Sequence, residues 1–182
     1  MVRIIGGKWK KKSLNVIYKK RVRPTPSRIR ETLFNWLAFR IDLRDSEVLD
    51  LFAGSGALGI EAASRGANHV NMIESNSRNA REISFFLSNL ENTDNIELDC
   101  EDALLWLEKN KKKTFDLIFL DPPYDSKLIE LTLPILKERL NNNGLIYVEY
   151  NREIKNLILS MSYHIVCSGA TKTLSYYLIS KN

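Results

Sequence analysis

The sequence predicts an α/β fold: an open, mostly parallel sheet of six or seven strands with crossover helices. From Glu47 onward, short apolar runs alternate without interruption with helical stretches, the mark of parallel strands joined by helices. The first of these runs passes straight into a glycine turn, Ala53-Gly54-Ser55-Gly56, which opens a helix. The tail then offers two β-prone runs close enough to close the sheet with a hairpin.

Taken in order, residues 2–6 and 13–18 are short β-prone runs around a Gly-Gly-Lys-Trp-Lys-Lys-Lys link and read as a basic strand pair. Thr25-Pro26-Ser27 supplies an N-cap and a first-turn proline. Ile29, Leu33, Trp36 and Leu37 follow at helical spacing, so a helix is expected over 27–40. Strands are expected at 47–52, 69–74, 95–100, 115–120 and 144–150. Helices are expected at 57–65, 77–91, 102–110 and 127–140, with Gly66 and Gly144 stopping or following helices. The final hairpin pairs 162–168 with 172–180 across Ser168-Gly169-Ala170-Thr171. The division is then a basic arm over 1–26 and a catalytic domain over 27–182.

At 182 residues the chain suits one domain with a small appendage, and its 44% hydrophobic and 27% charged content is that of a folded globular protein. Its charge is distributed unevenly. Of 27 Lys and Arg, 11 lie in residues 1–30, which hold no Asp or Glu, so the arm is strongly positive and the remainder net acidic. Such asymmetry points to a polyanion, and nucleic acid leads. Cys100 and Cys167 lie in strand-like runs and read as buried free thiols in a reducing cytosol. Neither they nor His69 and His164 have metal-site spacing, so no metal is expected. With no apolar run near 18 residues, a soluble, cytoplasmic protein is expected.

Gly54, Gly56 and Gly59 satisfy G-x-G-x-x-G, and Glu74 ends the next strand 20 residues after Gly54. Glycines let the backbone approach a ligand, and a terminal carboxylate can accept both ribose hydroxyls, which serves NAD or any adenosine cofactor. Asp50, just before the turn, suits the amino group or cation of a zwitterion better than a pyrophosphate, which points to S-adenosylmethionine. Asp102 stands at the same sheet edge, to meet an adenine amino group, to cap the next helix, or both.

The buried run Phe115–Leu120 feeds into Asp121-Pro122-Pro123-Tyr124. Two prolines fix two φ angles, so a carboxylate, free carbonyls and an aromatic ring leave the strand in fixed relation. That suits a planar amine. Asp121 and the Pro122 carbonyl can accept both N–H groups while Tyr124 stacks on the ring, at about 1–3 kcal/mol. An exocyclic nitrogen is a poor nucleophile toward a methyl sulfonium, because its lone pair is delocalised; holding both protons restores pyramidal character, and alignment does the rest.

With these residues in view the chain resembles the bacterial 16S ribosomal RNA guanine-N2 methyltransferases of the RsmD type over nearly its whole length. The matching pieces are Arg3-Ile4-Ile5-Gly6-Gly7, Arg23-Pro24-Thr25, Arg28-Ile29-Arg30-Glu31-Thr32-Leu33-Phe34-Asn35-Trp36-Leu37, Asp50–Gly56, Asp121–Tyr124 and Tyr147-Val148-Glu149. The resemblance implies a seven-stranded Rossmann-like sheet of the class I, S-adenosylmethionine-dependent kind. It implies methylation of a guanine N2 in small-subunit rRNA, on an assembled or assembling particle. Carried over by position, the cofactor falls to Asp50, Phe52, Ala53, Gly54, Ser55, Gly56, Glu74, Asp102 and Ala103, and the guanine to Asp121, Pro122, Pro123 and Tyr124. The chain starts almost at the Arg-Ile-Ile-Gly-Gly element, without a longer leader, and Tyr124 is one of several aromatics at its position.

Independently of the resemblance, the arm reads as a docking element that grips phosphates while a looped-out base is delivered. Arg3, Lys8, Lys10, Lys11, Lys12, Arg23, Arg28 and Arg30 are its candidates. Arg28 and Arg30 have the alternative of pairing with Glu31 or the acidic body, and Trp9 either stacks on a base or packs under the hairpin. The partner expected is 16S rRNA in the small subunit or its precursor, with the protein a monomer. Competing readings are a DNA amino-methyltransferase, an NAD-linked oxidoreductase built on Gly54, Gly56, Gly59 and Glu74, and a non-catalytic RNA-binding assembly factor. The first has no sizeable target-recognition insertion, and the second no obvious hydride-transfer partner.

Overall fold

A computed structural model describes residues 2–14, 25–124 and 127–181; Arg23 and the greater part of the 13–18 run lie outside them. An antiparallel pair, β1 (Val2–Arg3) and β2 (Ser13–Leu14), precedes helix α1 (Ser27–Ala38). There follow β3 (Glu47–Asp50), α2 (Ala57–Ser64), β4 (His69–Ile73), α3 (Ser77–Ser88), β5 (Ile96–Asp99), α4 (Ala103–Lys109), β6 (Phe115–Leu120) and α5 (Leu128–Arg139). The chain closes with β7 (Leu140–Tyr150), α6 (Lys155–Ser160), β8 (Tyr163–Ala170) and β9 (Ser175–Lys181). No helix among the described residues is long and apolar enough to cross a membrane.

Seven strands form one sheet in the order β5-β4-β3-β6-β7-β9-β8, parallel from β5 to β7 and antiparallel at β9 and β8. The central strands are apolar at successive positions because both faces are covered. Val48, Leu117, Phe119, Leu145 and Tyr147 pack toward α1, α2 and the N-terminal strands, while Leu49, Ile118, Leu120, Ile146 and Val148 pack toward α4, α5 and α6. β3 is flanked by β4 on one side and β6 on the other, so the strand order reverses there. At such a switch point the carboxyl ends of adjacent strands diverge and leave a crevice for ligand.

Several details differ from the sequence reading. β7 begins at Leu140, ahead of the expected 144–150, so Gly144 lies within the strand rather than at its start; a Cβ there would come within 2.8 Å of the Leu140 side chain, so the glycine relieves crowding in an irregular stretch of the β6–β7 pairing. The last hairpin turns at 171–174, two or three residues later than expected, with the Thr171 amide bonded to the Leu174 carbonyl at 2.7 Å. Gly169 stays in β8 because any side chain would strike the Tyr176 ring opposite it, at 2.3 Å. Helix α6 was not expected, although Ile154, Leu157, Ile158 and Met161 carry helical spacing. Cys100 is exposed and Cys167 half-buried, so the expectation of buried thiols fails; both are free. β5 is a four-residue edge strand ending at Asp99, which leaves Cys100 in the loop beyond it.

Candidate active site

The ends of β3, β4, β5 and β6 surround one cavity of about 300 Å³, a volume at the lower limit of small-molecule sites. Asp50 is the last residue of β3 and is almost wholly buried. Its Oδ2 accepts the Gly59 amide of α2 at 2.8 Å. Burial pushes this carboxyl up to about 7, the Gly59 amide opposing the shift and Glu74 adding to it.

Beyond Asp50 the chain bends through Gly54 and Gly56, both with positive φ, and Gly56 opens α2 in the left-handed conformation that glycine tolerates. Phe52, Ala53, Gly54 and Ser55 line the cavity. Gly56 does not: a Cβ on it would point at Ile60, Met72 and Ile83, so its task is the turn. Gly59 is likewise a packing residue, since a Cβ there would meet Met72 at 2.9 Å and Asp50 Oδ2 at 3.0 Å. The formal glycine fingerprint thus resolves into one cavity-lining glycine, one that makes the turn and one that lets strand and helix approach.

Glu74 follows β4 and is buried, its Oε1 accepting the Asn76 amide at 2.6 Å. Burial raises its affinity for a proton, while the amides of Asn76 and Gly54 work against that. Asp102 caps α4, its Oδ1 accepting the Leu104 and Leu105 amides at 2.9 and 3.2 Å, and it lines the cavity with Ala103. Capping and facing the cavity therefore coexist.

Across the crevice, Asp121, Pro122, Pro123 and Tyr124 leave β6 and line the same cavity. The Tyr124 ring stands edge-on to Tyr150, with centroids 6.2 Å apart. Asp121 Oδ2 accepts the buried Thr25 hydroxyl at 3.4 Å. Burial, then the charges of Glu149 and Asp50, raise the Asp121 carboxyl well above the ordinary aspartate range. Thr25, Asn76, Asn79, Glu101 and Leu128 also line the cavity without having been singled out. Thr25 carried a sequence signal, since it lies in the Arg23-Pro24-Thr25 element, but it reads there as a helix cap and no such side-chain cap bond forms.

The basic candidates divide. Arg3, Lys8, Lys10, Lys11, Lys12 and Arg28 are exposed. Arg30 is not: it is 1% exposed, donates to the carbonyls of Thr25 and Arg3, and pairs with buried Glu61, which removes it from the phosphate-gripping set. Its position on the inward face of α1 is the reason, and of its two sequence readings the pairing with the acidic body holds. Trp9 is buried, with its indole N–H on the Glu91 carbonyl at 3.1 Å, so it packs rather than offering a stacking face. Among the described residues no cluster of three His, Cys, Asp or Glu side chains could hold a metal.

A family profile described as "Conserved hypothetical protein 95" matches residues 2–177. The chain is 38% identical to the ribosomal RNA small subunit methyltransferase D of Haemophilus influenzae over 97% of its length and 92% of the relative's. It is 40% identical to the protein of the same name in Escherichia coli, over 85% of this chain and 76% of that one. The chain belongs to the small subunit rRNA methyltransferase D family. A solved Escherichia coli structure, described as the methyltransferase yhhF, superposes with a TM-score of 0.87 at 34% identity, covering 99% of this chain and 97% of the other. The seven-stranded Rossmann-like sheet is accordingly the methyltransferase sheet.

Proposed function

We propose that this chain transfers a methyl group from S-adenosylmethionine to the exocyclic N2 of a guanine in small-subunit rRNA. The observation that carries this reading is that Asp50 and Asp121, from the adjacent strands β3 and β6, line one cavity at the switch point of the sheet. The residues present fit the cofactor: a buried carboxyl for its amino group, a positive-φ glycine at its backbone, and Glu74 and Asp102 for ribose and adenine. When bound, S-adenosylmethionine supplies a methyl group on a positively charged sulfur. The relatives of that name are small-subunit rRNA methyltransferases, and the exposed Arg3, Lys8, Lys10, Lys11 and Lys12 support a polyanionic substrate.

The chain's own residues do three things. Asp50, Gly54 and Glu74 set the direction from which the methyl group is presented. Asp121 and the Pro122 carbonyl accept the two amino protons of the guanine, turning its lone pair toward the methyl carbon, while Tyr124 stacks on the base. As the N–C bond formed and the methyl–sulfur bond broke, with its electron pair left on sulfur, the nitrogen would become positive and lose one proton to Asp121, whose raised proton affinity suits it as acceptor. Residues 1–26, with Lys8, Lys10, Lys11 and Lys12 exposed, would hold phosphates around the looped-out nucleotide in the cytoplasm, the protein acting as a monomer on the subunit or its precursor.

The test is labelled-methyl transfer to small ribosomal subunits, followed by mass mapping of the product nucleotide. Wild type should yield N2-methylguanine in rRNA and none in duplex DNA. Asp121→Ala should lose transfer while binding S-adenosylhomocysteine normally. Full activity in Asp121→Ala, or methylation of a different atom, would overturn the reading.

A further inference from the structure

The Tyr147-Val148-Glu149 segment has no part in the reaction as derived, yet it places a buried carboxyl beside the base clamp. Leu120 and Val148 are partners across β6 and β7, so Asp121 and Glu149 stand one step further along neighbouring strands, which lie about 4.8 Å apart. Both fall on the α1 side of the sheet, the side that Phe119 and Tyr147 occupy. Glu149 is 1% exposed, and its Oε2 accepts the Tyr147 hydroxyl at 2.7 Å. The Thr25 hydroxyl, brought in by the chain entering α1, donates to Asp121 Oδ2 at 3.4 Å and also interacts with Glu149.

One hydroxyl between two carboxyls has a single proton to give. If it donates to Asp121, its lone pairs face Glu149, and that contact is favourable only when Glu149 carries a proton to donate back. If both carboxyls ionised, two negative charges would face each other in a region where burial already penalises charge. Among the described residues, the titratable groups that act on the pair or on its Tyr147 partner are Asp50 at the end of β3, Tyr147 on β7 and Tyr176 on β9, and none of these supplies a cation. The two carboxyls therefore behave as one unit holding one proton.

We propose that Glu149, acting through Thr25, is a positioning residue for Asp121: Tyr147, Glu149, Thr25 and Asp121 form a hydrogen-bonded chain that shares one proton between the two carboxyls and aims Asp121 at the amine. A carboxylate's two oxygens share a plane, so fixing Oδ2 sets the direction of the other oxygen. The role of the pair in amine capture rests on the amino-methylation reading above; the shared proton does not.

The experiment compares Glu149→Gln, Thr25→Val and Thr25→Ser with wild type in kcat, KM, pH profile and S-adenosylhomocysteine affinity. Alongside it, the carboxyl carbons of Asp121 and Glu149 are titrated by 13C NMR. Glu149→Gln should lower kcat at least tenfold, with KM for the subunit and cofactor affinity within about twofold of wild type. Gln has no proton to release, so the step in which the pair loses its shared proton should vanish from the pH profile of kcat, a change that a merely structural role would not produce. Thr25→Val should lower kcat likewise, and Thr25→Ser should restore it. In the NMR titration the wild-type pair should lose its protons in two coupled steps, and Asp121 in Glu149→Gln in one step below the second of these.

A wild-type kcat and an unchanged pH profile in Glu149→Gln, or two carboxyls that titrate independently in wild type, would overturn the proposal. Should Glu149→Gln fail to fold, the Thr25 variants and the wild-type titration decide. Should wild type transfer no methyl group to any subunit, the functional reading falls, and the titration still tests the shared proton.

Discussion

Arg30 Nη1 lies 3.4 Å from Glu61 Oε2, and both side chains are sealed from solvent. Glu61 also accepts the amides of Ile5 and Gly6, each at 2.8 Å, and the Arg65 guanidinium at 2.8 Å. This carboxylate on α2 thus ties the N-terminal strand to the helix that begins at the glycine turn. Removing one partner of a buried pair strands the other, at about 3–5 kcal/mol. Glu61→Ala should lower the urea midpoint accordingly and speed hydrogen exchange at Ile5 and Gly6, which lose their acceptor. A loss below about 1 kcal/mol would show that water replaces the carboxylate.

Gly7 probes the same anchoring from the other side. Its φ is +75°, and a Cβ on it would lie 1.8 Å from the Ser64 carbonyl oxygen, so no side chain fits without moving α2 or the arm. Gly7→Ala should destabilise by roughly 1–3 kcal/mol, the range for overpacking and backbone strain together. Chemical denaturation checks the magnitude, and limited proteolysis near Lys8–Lys12 checks that the arm is what detaches.

Asp50 gives a pH dependence whose sign is fixed. Its carboxyl is raised to about 7 in the folded protein, far above an unfolded aspartate, so the folded state holds the proton longer. Stability from this group is complete at acid pH and declines as pH rises toward and through 7, by up to about 1.4 kcal/mol per pH unit. The cofactor's ammonium prefers the ionised form, so affinity should instead strengthen from pH 6 to 8. Calorimetric titration with S-adenosylhomocysteine at several pH values checks this, and Asp50→Asn should bind weakly with no such trend.

The arm's electrostatics are testable without catalysis. Lys10, Lys11 and Lys12 are exposed on the loop between β1 and β2. Each phosphate contact contributes about 0.7–0.9 to the slope of log affinity against log salt, so replacing all three with Ala should reduce that slope by about 2–3 for the subunit rRNA. An unchanged slope would place the RNA elsewhere on the protein.

Much of the site was legible because its parts are local. Asp50 with its glycine turn, and Asp121 with its two prolines, are continuous segments whose strand-to-loop geometry is set by their own residues and by the runs before them. Asp102 was legible for the same reason, being a cap two residues from the amide it binds. Gly56 was misplaced because a glycine serving a turn and one serving a ligand are identical in sequence; only the positions of Ile60 and Met72 distinguish them. Gly169 and Gly144 read as punctuation, whereas each makes room for a side chain, Tyr176 on the neighbouring strand and Leu140 within its own.

The sequence by itself determined the alternation of strands and helices, the two motif-bearing strand ends and the concentration of positive charge in the first 30 residues, because periodicity, turn chemistry and charge are properties of neighbouring residues. Tertiary structure decided that Arg30 is an internal anchor rather than an RNA contact, that Trp9 is core, and that Thr25 and Glu149 meet at Asp121. Thr25 stands 96 positions from Asp121, and Glu149 reaches it only through the register of two parallel strands. Such meetings depend on strand order and on which face of the sheet a residue occupies, and local pattern leaves both of these open.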